Sequence, residues 1–160
     1  MKIWQYSYFE LASTIVSAAE LTICLGVEPD HLEVKGTTNA PGRVRRLHTW
    51  RISDDREGAV DEQLERLIDR LEPGRTQLIA LASDADIWSR MQVVRYYHDP
   101  DGVHYAPAGT PSDQVSEWPR PLGWHLSVPT LEFLSLTATS FDVDEFDLSP
   151  DEEDTDSSQR

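Results

Sequence analysis

Two kinds of hydrophobic spacing alternate along the chain, one typical of strands and the other of helices. Residues 2–11, KIWQYSYFEL, are rich in aromatic and β-branched side chains, and large residues occupy both alternating sets of positions. A strand with large side chains on both faces is typical of the interior of a sheet. We therefore expect the chain to begin with an interior strand.

A short helix is expected next, over residues 17–26. Ser17 and Glu20 have the spacing of a capping box, in which each side chain accepts a hydrogen bond from the other residue's backbone N–H. Gly26 then supplies the left-handed conformation that commonly ends a helix. The apolar face of this helix is formed by Leu21, Cys24 and Leu25. Cys24 is therefore expected to be a small buried residue of the core.

The middle of the chain contains two short strand patterns, two helices and a further strand. The strand patterns, HLEVK and RVRRLHTWRIS, are joined by the loop GTTNAPG, and Trp50 is expected to pack in the core. The clearest helix covers residues 60–71 and ends at Pro73 and Gly74. Its apolar stripe consists of Val60, Leu64, Leu67, Ile68 and Leu71. Residues 75–83 predict another short helix, and residues 91–98 predict a strand.

The last third of the chain repeats the opening pattern. Ser127 is placed to cap a helix, Pro129 lies in the first turn, and a strand pattern follows. The repeated pattern predicts two strand-helix-strand halves. Together the elements predict an α+β fold, a two-layer sandwich with a mostly antiparallel sheet and helices mainly on one face. We expect residues 1–148 to form a single domain.

Four segments carry a resemblance to a known family. They are YFEL at residues 8–11, ELTICLGVEPD at 20–30 with a glycine soon after, HTWRI at 48–52, and GWHLSVPTLEFLSLTATSFDVDEFD at 123–147. In this order and spacing, the chain resembles the bacterial family catalogued as domain of unknown function 4279. The resemblance implies a small, soluble, single-domain bacterial protein and supplies no catalytic residues. It also implies that the long loop and the acidic tail described below are departures from the shorter members.

Two segments lack the pattern of a packed element. Residues 99–121 are dense in Pro, Gly and Asp, which indicates a long loop that is either functional or disordered. Residues 149–160 contain no aliphatic or aromatic side chain. Because such a segment cannot offset its ordering entropy by burial, we expect a disordered tail.

The charge balance narrows the choice of partners. The net charge is −15, from 29 acidic and 14 basic residues, and five of the acids lie in the last twelve residues. Such a chain repels nucleic acid and anionic membranes and favours basic partners. No apolar run approaches the roughly 18 residues of a membrane span, and the first residues lack the features of a signal peptide. With a single cysteine, a cytoplasmic location is expected. The pattern indicates no particular oligomeric state.

Some residues are of types that commonly bind metal ions or catalyse reactions, although no catalytic motif is complete. Asp142 and Asp144 fall on one side of a predicted strand, where carboxylates bind divalent cations. His98 and His104 flank a turn containing two aspartates, which is the basis of the alternative function, a metal-dependent or acid-base enzyme. No nucleophile motif, paired cysteines or phosphate loop is present. The expectation is therefore a protein that is not an enzyme and has no metal or cofactor.

One basic cluster interrupts the acidic sequence. It consists of Lys35, Arg43, Arg45, Arg46 and Arg51. Two roles are open: these side chains pair with the protein's own acids, or they grip an acidic patch on a partner. The abundance of acids in the chain favours internal pairing.

The expected function is binding of a basic protein, and the specific form is an immunity or antidote protein that neutralises a basic toxin. Small acidic inhibitors use complementary charge to speed the capture of targets that themselves bind nucleic acid. Aromatic residues supply anchors at such interfaces. The expected binding residues are Asp54, Asp55, Asp61, Glu62, Glu65, Tyr105 and Trp118.

Overall fold

The computed structural model describes residues 2–39, 42–98 and 123–150. In chain order the elements are β1 (Lys2–Ser13), α1 (Ala18–Leu25), β2 (His31–Glu33), β3 (Thr38–Asn39), β4 (Arg43–Val44), β5 (His48–Asp54), α2 (Val60–Leu71), a 3-10 turn (Glu72–Gly74), α3 (Arg75–Leu81), β6 (Ile87–His98), α4 (Val128–Leu136) and β7 (Ser140–Asp147). Five strands form a sheet in the order β2-β5-β1-β6-β7, and β3 pairs with β4 in a separate hairpin. The predicted α+β fold is confirmed, and β1 is an interior strand, as its large side chains on both faces predict.

The sheet is mixed and mostly antiparallel. β1 pairs antiparallel with β5 from Ser7↔Asp54 to Ser13↔His48, and β2 pairs antiparallel with the other edge of β5. β1 and β2 therefore run in the same direction. Ser89 near the start of β6 bonds to Thr139 just before β7, and Arg95 further along β6 bonds to Glu145 further along β7. Because both partners advance in the same direction, β6 and β7 are parallel neighbours. The first predicted strand-helix-strand half is present, with β5 inserted between its strands. The second differs from the prediction, because residues 123–127 before α4 form no strand and β6 is the neighbour of β7.

Contacts divide the chain into two compact units. The larger unit contains residues 6–94 and 124–144, and the described residues of the smaller unit are 2–5, 95–98, 123 and 145–150. The prediction of one domain over residues 1–148 stays a prediction. The last ten residues of the predicted tail lie outside the described residues.

The core of the larger unit lies where one face of the sheet meets the helices. α2 buries Val60, Leu64, Leu67 and Leu71 at the helical spacing expected of its apolar stripe. The ring of Phe9 meets Trp50 and Phe133 edge-on, at centroid separations of 6.5 and 6.2 Å. The buried indole N–H of Trp50 donates to the Thr22 hydroxyl at 3.1 Å, so the large ring is buried without losing a hydrogen bond. The prediction that Trp50 is a core residue is confirmed.

The prediction that Cys24 is buried was wrong. Cys24 is exposed, and so is the adjacent Ile23. α1 turns its face around Ala18, Leu21 and Leu25 to the core. Because successive helical residues are rotated by about 100°, the position before Leu25 lies at the edge of that face. The thiol therefore meets solvent.

Strand ends form the described part of the smaller unit. Trp4, Tyr96 and Phe146 make a row of rings, with successive centroids 5.0 and 5.1 Å apart. Tyr97 donates its hydroxyl proton to Glu145 at 2.7 Å, and Arg95 donates to the same carboxylate at 2.8 Å. Burial and the bond to Glu145 raise the pKa of Tyr97 to about 12. The phenol therefore acts as a neutral donor here.

Candidate functional site

The outward side of α2 carries a row of acids. Asp61, Glu65 and Asp69 follow one another at four-residue spacing, so they line one side of the helix over about 12 Å. Glu65 and Asp69 are exposed and Asp61 is half-buried. We call these three residues the acidic row. Within the described chain, none of them has an ion-pair partner, so their charge faces outward.

Neighbouring acids extend this negative surface. Asp55 is exposed in the loop before α2 and has no ion pair among the described residues. Glu62 is also exposed, but its carboxylate accepts a hydrogen bond from the Ala59 backbone N–H at 3.1 Å and lies 4.0 Å from Arg66. Glu62 therefore helps to cap the helix and still presents charge to solvent.

Asp54 has a different role from its predicted neighbours. Its side chain is 1% exposed and lies between Arg56 and Arg66. Arg66 donates two hydrogen bonds to the carboxylate, at 2.9 and 3.1 Å, and Arg56 donates through Nε at 3.0 Å and through its backbone N–H at 3.1 Å. Burial alone would raise the pKa of Asp54, but these hydrogen bonds outweigh burial and lower it strongly. This carboxylate ties the end of β5 to α2 and is not accessible to a partner.

A second ion pair, one turn further along α2, also joins this helix to the end of β5. Arg70 donates to both oxygens of Asp30, at 2.8 and 3.0 Å, and the Ser53 backbone N–H donates to the same carboxylate at 2.7 Å. The hydrogen bonds from Arg70 lower the pKa of Asp30. Because both arginines turn inward to these carboxylates, no cation of the helix neutralises the acidic row.

The predicted aromatic anchors and one histidine of the alternative enzyme hypothesis belong to residues 99–122. Tyr105, Trp118 and His104 lie outside the described residues. His98 is exposed, with its Nδ1 3.0 Å from the carbonyl oxygen of Leu148. Over residues 2–39, 42–98 and 123–150, no group of three or more His, Cys, Asp or Glu side chains is arranged to hold a metal ion.

The basic cluster is only partly paired. Arg51 binds Glu10, Arg45 binds Glu33, and the Lys35 ammonium donates to the Thr14 carbonyl at 2.9 Å. These contacts agree with the favoured role of internal pairing. Arg43 and Arg46 differ, because both are exposed and neither makes an ion pair within the described part of the chain. The guanidinium groups of Arg43 and Arg46 are therefore available to an external anion.

A cluster of charged and aromatic groups lies on the face of β1 opposite Phe9 and Leu11. Glu10 accepts from Arg51 at 3.0 Å and from Arg90 at 2.9 Å. The Arg51 guanidinium stands over the ring of Tyr8, with its central carbon 4.2 Å from the ring centroid. Burial raises the pKa of Tyr8, partly against the influence of the two arginines. The sequence does not reveal this cluster, because 80 residues separate Glu10 from Arg90 and only strand pairing brings them together.

Membrane insertion through a helix has no support in the part of the chain that the structure describes. No helix there is both long and apolar enough to cross a bilayer.

Comparison with known proteins identifies the family. No curated protein and no solved structure matches the chain. The family model described as Domain of unknown function (DUF4279) matches residues 4–148. This range includes all four segments that carry the resemblance, and it covers most of the chain. The protein therefore belongs to the DUF4279 family.

Proposed function

We propose that the protein is a non-catalytic binding protein that captures a basic protein partner through the acidic face of α2. The observation that carries the proposal is the acidic row, Asp61, Glu65 and Asp69, which is unpaired in the described chain and turned away from the core. Glu62 is exposed on the same helix, and Asp55 is exposed in the loop before it.

The acidic row has a local energetic cost. Like charges at four-residue spacing destabilise a helix by about 0.2–0.5 kcal/mol for each pair. α2 contains two such pairs, Asp61 with Glu65 and Glu65 with Asp69. A basic partner would relieve this repulsion and would also be drawn by the net charge of −15. Asp61 lies in the first turn, where the helix dipole stabilises an acid, whereas Glu65 and Asp69 gain no such stabilisation and would gain it from a basic partner.

The specific form of the proposal is an immunity protein that neutralises a basic toxin in the cytoplasm. A toxin that acts on nucleic acid needs a positive surface, and an acidic inhibitor covers such a surface while being repelled by nucleic acid itself. Charge speeds the encounter, whereas affinity comes from a few well-packed anchors. Tyr105 and Trp118 stay candidates for those anchors.

Affinity capture from the source organism, followed by stopped-flow mixing with the captured protein, tests the proposal. The partner is expected to be basic. Raising salt from about 0.05 to 0.5 M should slow association by at least about tenfold and change dissociation by less than about threefold. A tight partner that is acidic, or whose association rate does not depend on salt, contradicts electrostatic capture.

A matched pair of triple variants tests whether the acidic row or the net charge of the protein directs binding. The test variant is Asp61→Asn, Glu65→Gln and Asp69→Asn. The control, Glu28→Gln, Glu132→Gln and Asp144→Asn, removes the same charge from exposed positions elsewhere. At low salt we expect the test variant to associate about tenfold more slowly and the control to change by less than about threefold. Equal slowing by both variants would mean that net charge, and not this face, directs binding.

A further inference from the structure

The end of β2, β4 with the segment after it, and the start of β5 line an open groove of about 370 Å³. Its lining includes Glu33, Arg43, Arg45, Arg46, Leu47 and Thr49. We call it the arginine groove. The volume lies in the range of pockets that hold small organic ligands, and it is much larger than a single water-sized void.

The arginine groove has the opposite charge from the chain as a whole. Arg45 is neutralised by Glu33, which also lies 3.2 Å from the ring of His31. Arg43 and Arg46 have no ion-pair partner in the described residues. The groove therefore presents two uncompensated positive charges in a protein of net charge −15.

The backbone around the groove is held in place without a ligand. Arg45 exchanges two backbone hydrogen bonds with the other arm of the hairpin, donating to Thr37 and accepting from Gly36, each at 2.9 Å. At the base, the Lys35 backbone N–H donates to the His48 ring at 3.2 Å, which joins the hairpin to β5. Gly36 adopts a φ of 85°, a conformation that other residues rarely adopt. The backbone that carries the arginines is therefore ordered before a ligand binds, so only their side chains lose entropy on binding.

The lining chemistry defines the ligand class. Each guanidinium presents a planar fork of donors that fits carboxylate or phosphate oxygens, and two free arginines match two negative charges. Val44 and Leu47 add apolar surface beside them. Longer polyanions are disfavoured, because the rest of the chain repels them. We propose that the arginine groove binds a small dianionic molecule, with a phosphate monoester or two carboxylates as the recognised group.

Titrations with inorganic phosphate, glycerol phosphate and succinate test this proposal, with sodium chloride at matched ionic strength as the reference. Backbone amide signals of residues 42–49 should shift and saturate with at least one of the three dianions and should not saturate with chloride. Tighter binding of the two phosphates identifies a phosphate ligand, and tighter binding of succinate identifies a dicarboxylate. Absence of saturable shifts with all three dianions overturns the proposal.

Variants locate the binding site. The double variant Arg43→Gln with Arg46→Gln should weaken dianion binding at least about tenfold, because both guanidinium groups are lost. Its melting temperature should stay near the wild-type value, because neither arginine has an ion-pair partner within the described ranges. The control Lys2→Gln with Arg75→Gln removes the same charge outside the groove and should change binding by less than about twofold. Equal weakening by both variants, or none by the first, refutes the assignment.

Discussion

Replacement of Asp54 by asparagine tests the view that this acid is a structural tie between β5 and α2. The side chain is 1% exposed, and its two oxygens accept hydrogen bonds from Arg56 and Arg66. Asparagine keeps the size but removes the charge. It also replaces one acceptor oxygen with an amino group that points donors at the guanidinium donors. The variant therefore loses the electrostatic attraction to the two arginines and places its amide donors against the guanidinium donors.

The expected loss of unfolding free energy is about 3 kcal/mol. Hydrogen bonds to a charged group contribute about 1.5–3 kcal/mol. The upper end applies here because Arg66 donates twice to one buried carboxylate, although the Arg56 side chain is 61% exposed and regains water when released. The Arg66 side chain is 27% exposed, and it retains its ion pair with Glu62 at 4.0 Å.

Asp30→Asn is the matched control. It breaks the neighbouring pair with Arg70, in which the side chains are 43% and 35% exposed, so water screens the interaction. The expected loss is at most about 1 kcal/mol. Urea denaturation at pH 7 measures both variants, and unchanged slopes would show that the unfolded states are comparable. A loss below about 1 kcal/mol for Asp54→Asn, or equal losses for both variants, would refute the structural tie.

The pH dependence gives an independent check. The pKa of Asp54 is lowered from its ordinary value of 3.8. Its stabilisation is therefore complete above that value and is lost as pH falls through the lowered pKa of the folded state. The difference between wild type and Asp54→Asn should stay constant from pH 7 to about pH 5 and shrink only under more acidic conditions. A difference that disappears above pH 5 would contradict the assigned pKa direction.

Three further predictions concern single positions. Glu65→Lys should raise the unfolding free energy by about 0.8–2 kcal/mol, because two repulsive helix pairs become attractive, and should slow capture of a basic partner; a destabilised variant contradicts the unpaired row. Gly74→Ala should lower the melting temperature by several degrees, equivalent to about 2 kcal/mol, because the added carbon lies 2.8 Å from the Leu25 carbonyl oxygen; an unchanged melting temperature refutes that close approach. Cys24 should react with a thiol reagent in the native state nearly as fast as in urea, because it is exposed; protection in the native state would show that it is buried.

Local interactions account for the features that the sequence determined by itself. Ser17 and Glu20 form both bonds of the capping box, at 3.2 and 2.8 Å, and Ser127 caps α4. The buried stripe of α2 also follows directly from its spacing. Caps and helix stripes depend on residues within about four positions of each other, and that information lies in any short window of the chain.

Tertiary structure alone decided which charged groups are paired. Asp54 and Asp55 are adjacent acids in the sequence, yet one is buried between arginines and the other is exposed. Arg90 reaches Glu10 only because β6 pairs beside β1. The two free arginines of the arginine groove are likewise recognisable only after Glu33 is found to bind Arg45. Strand order and register set these distances, and residue spacing along the chain does not encode which distant carboxylate an arginine will meet.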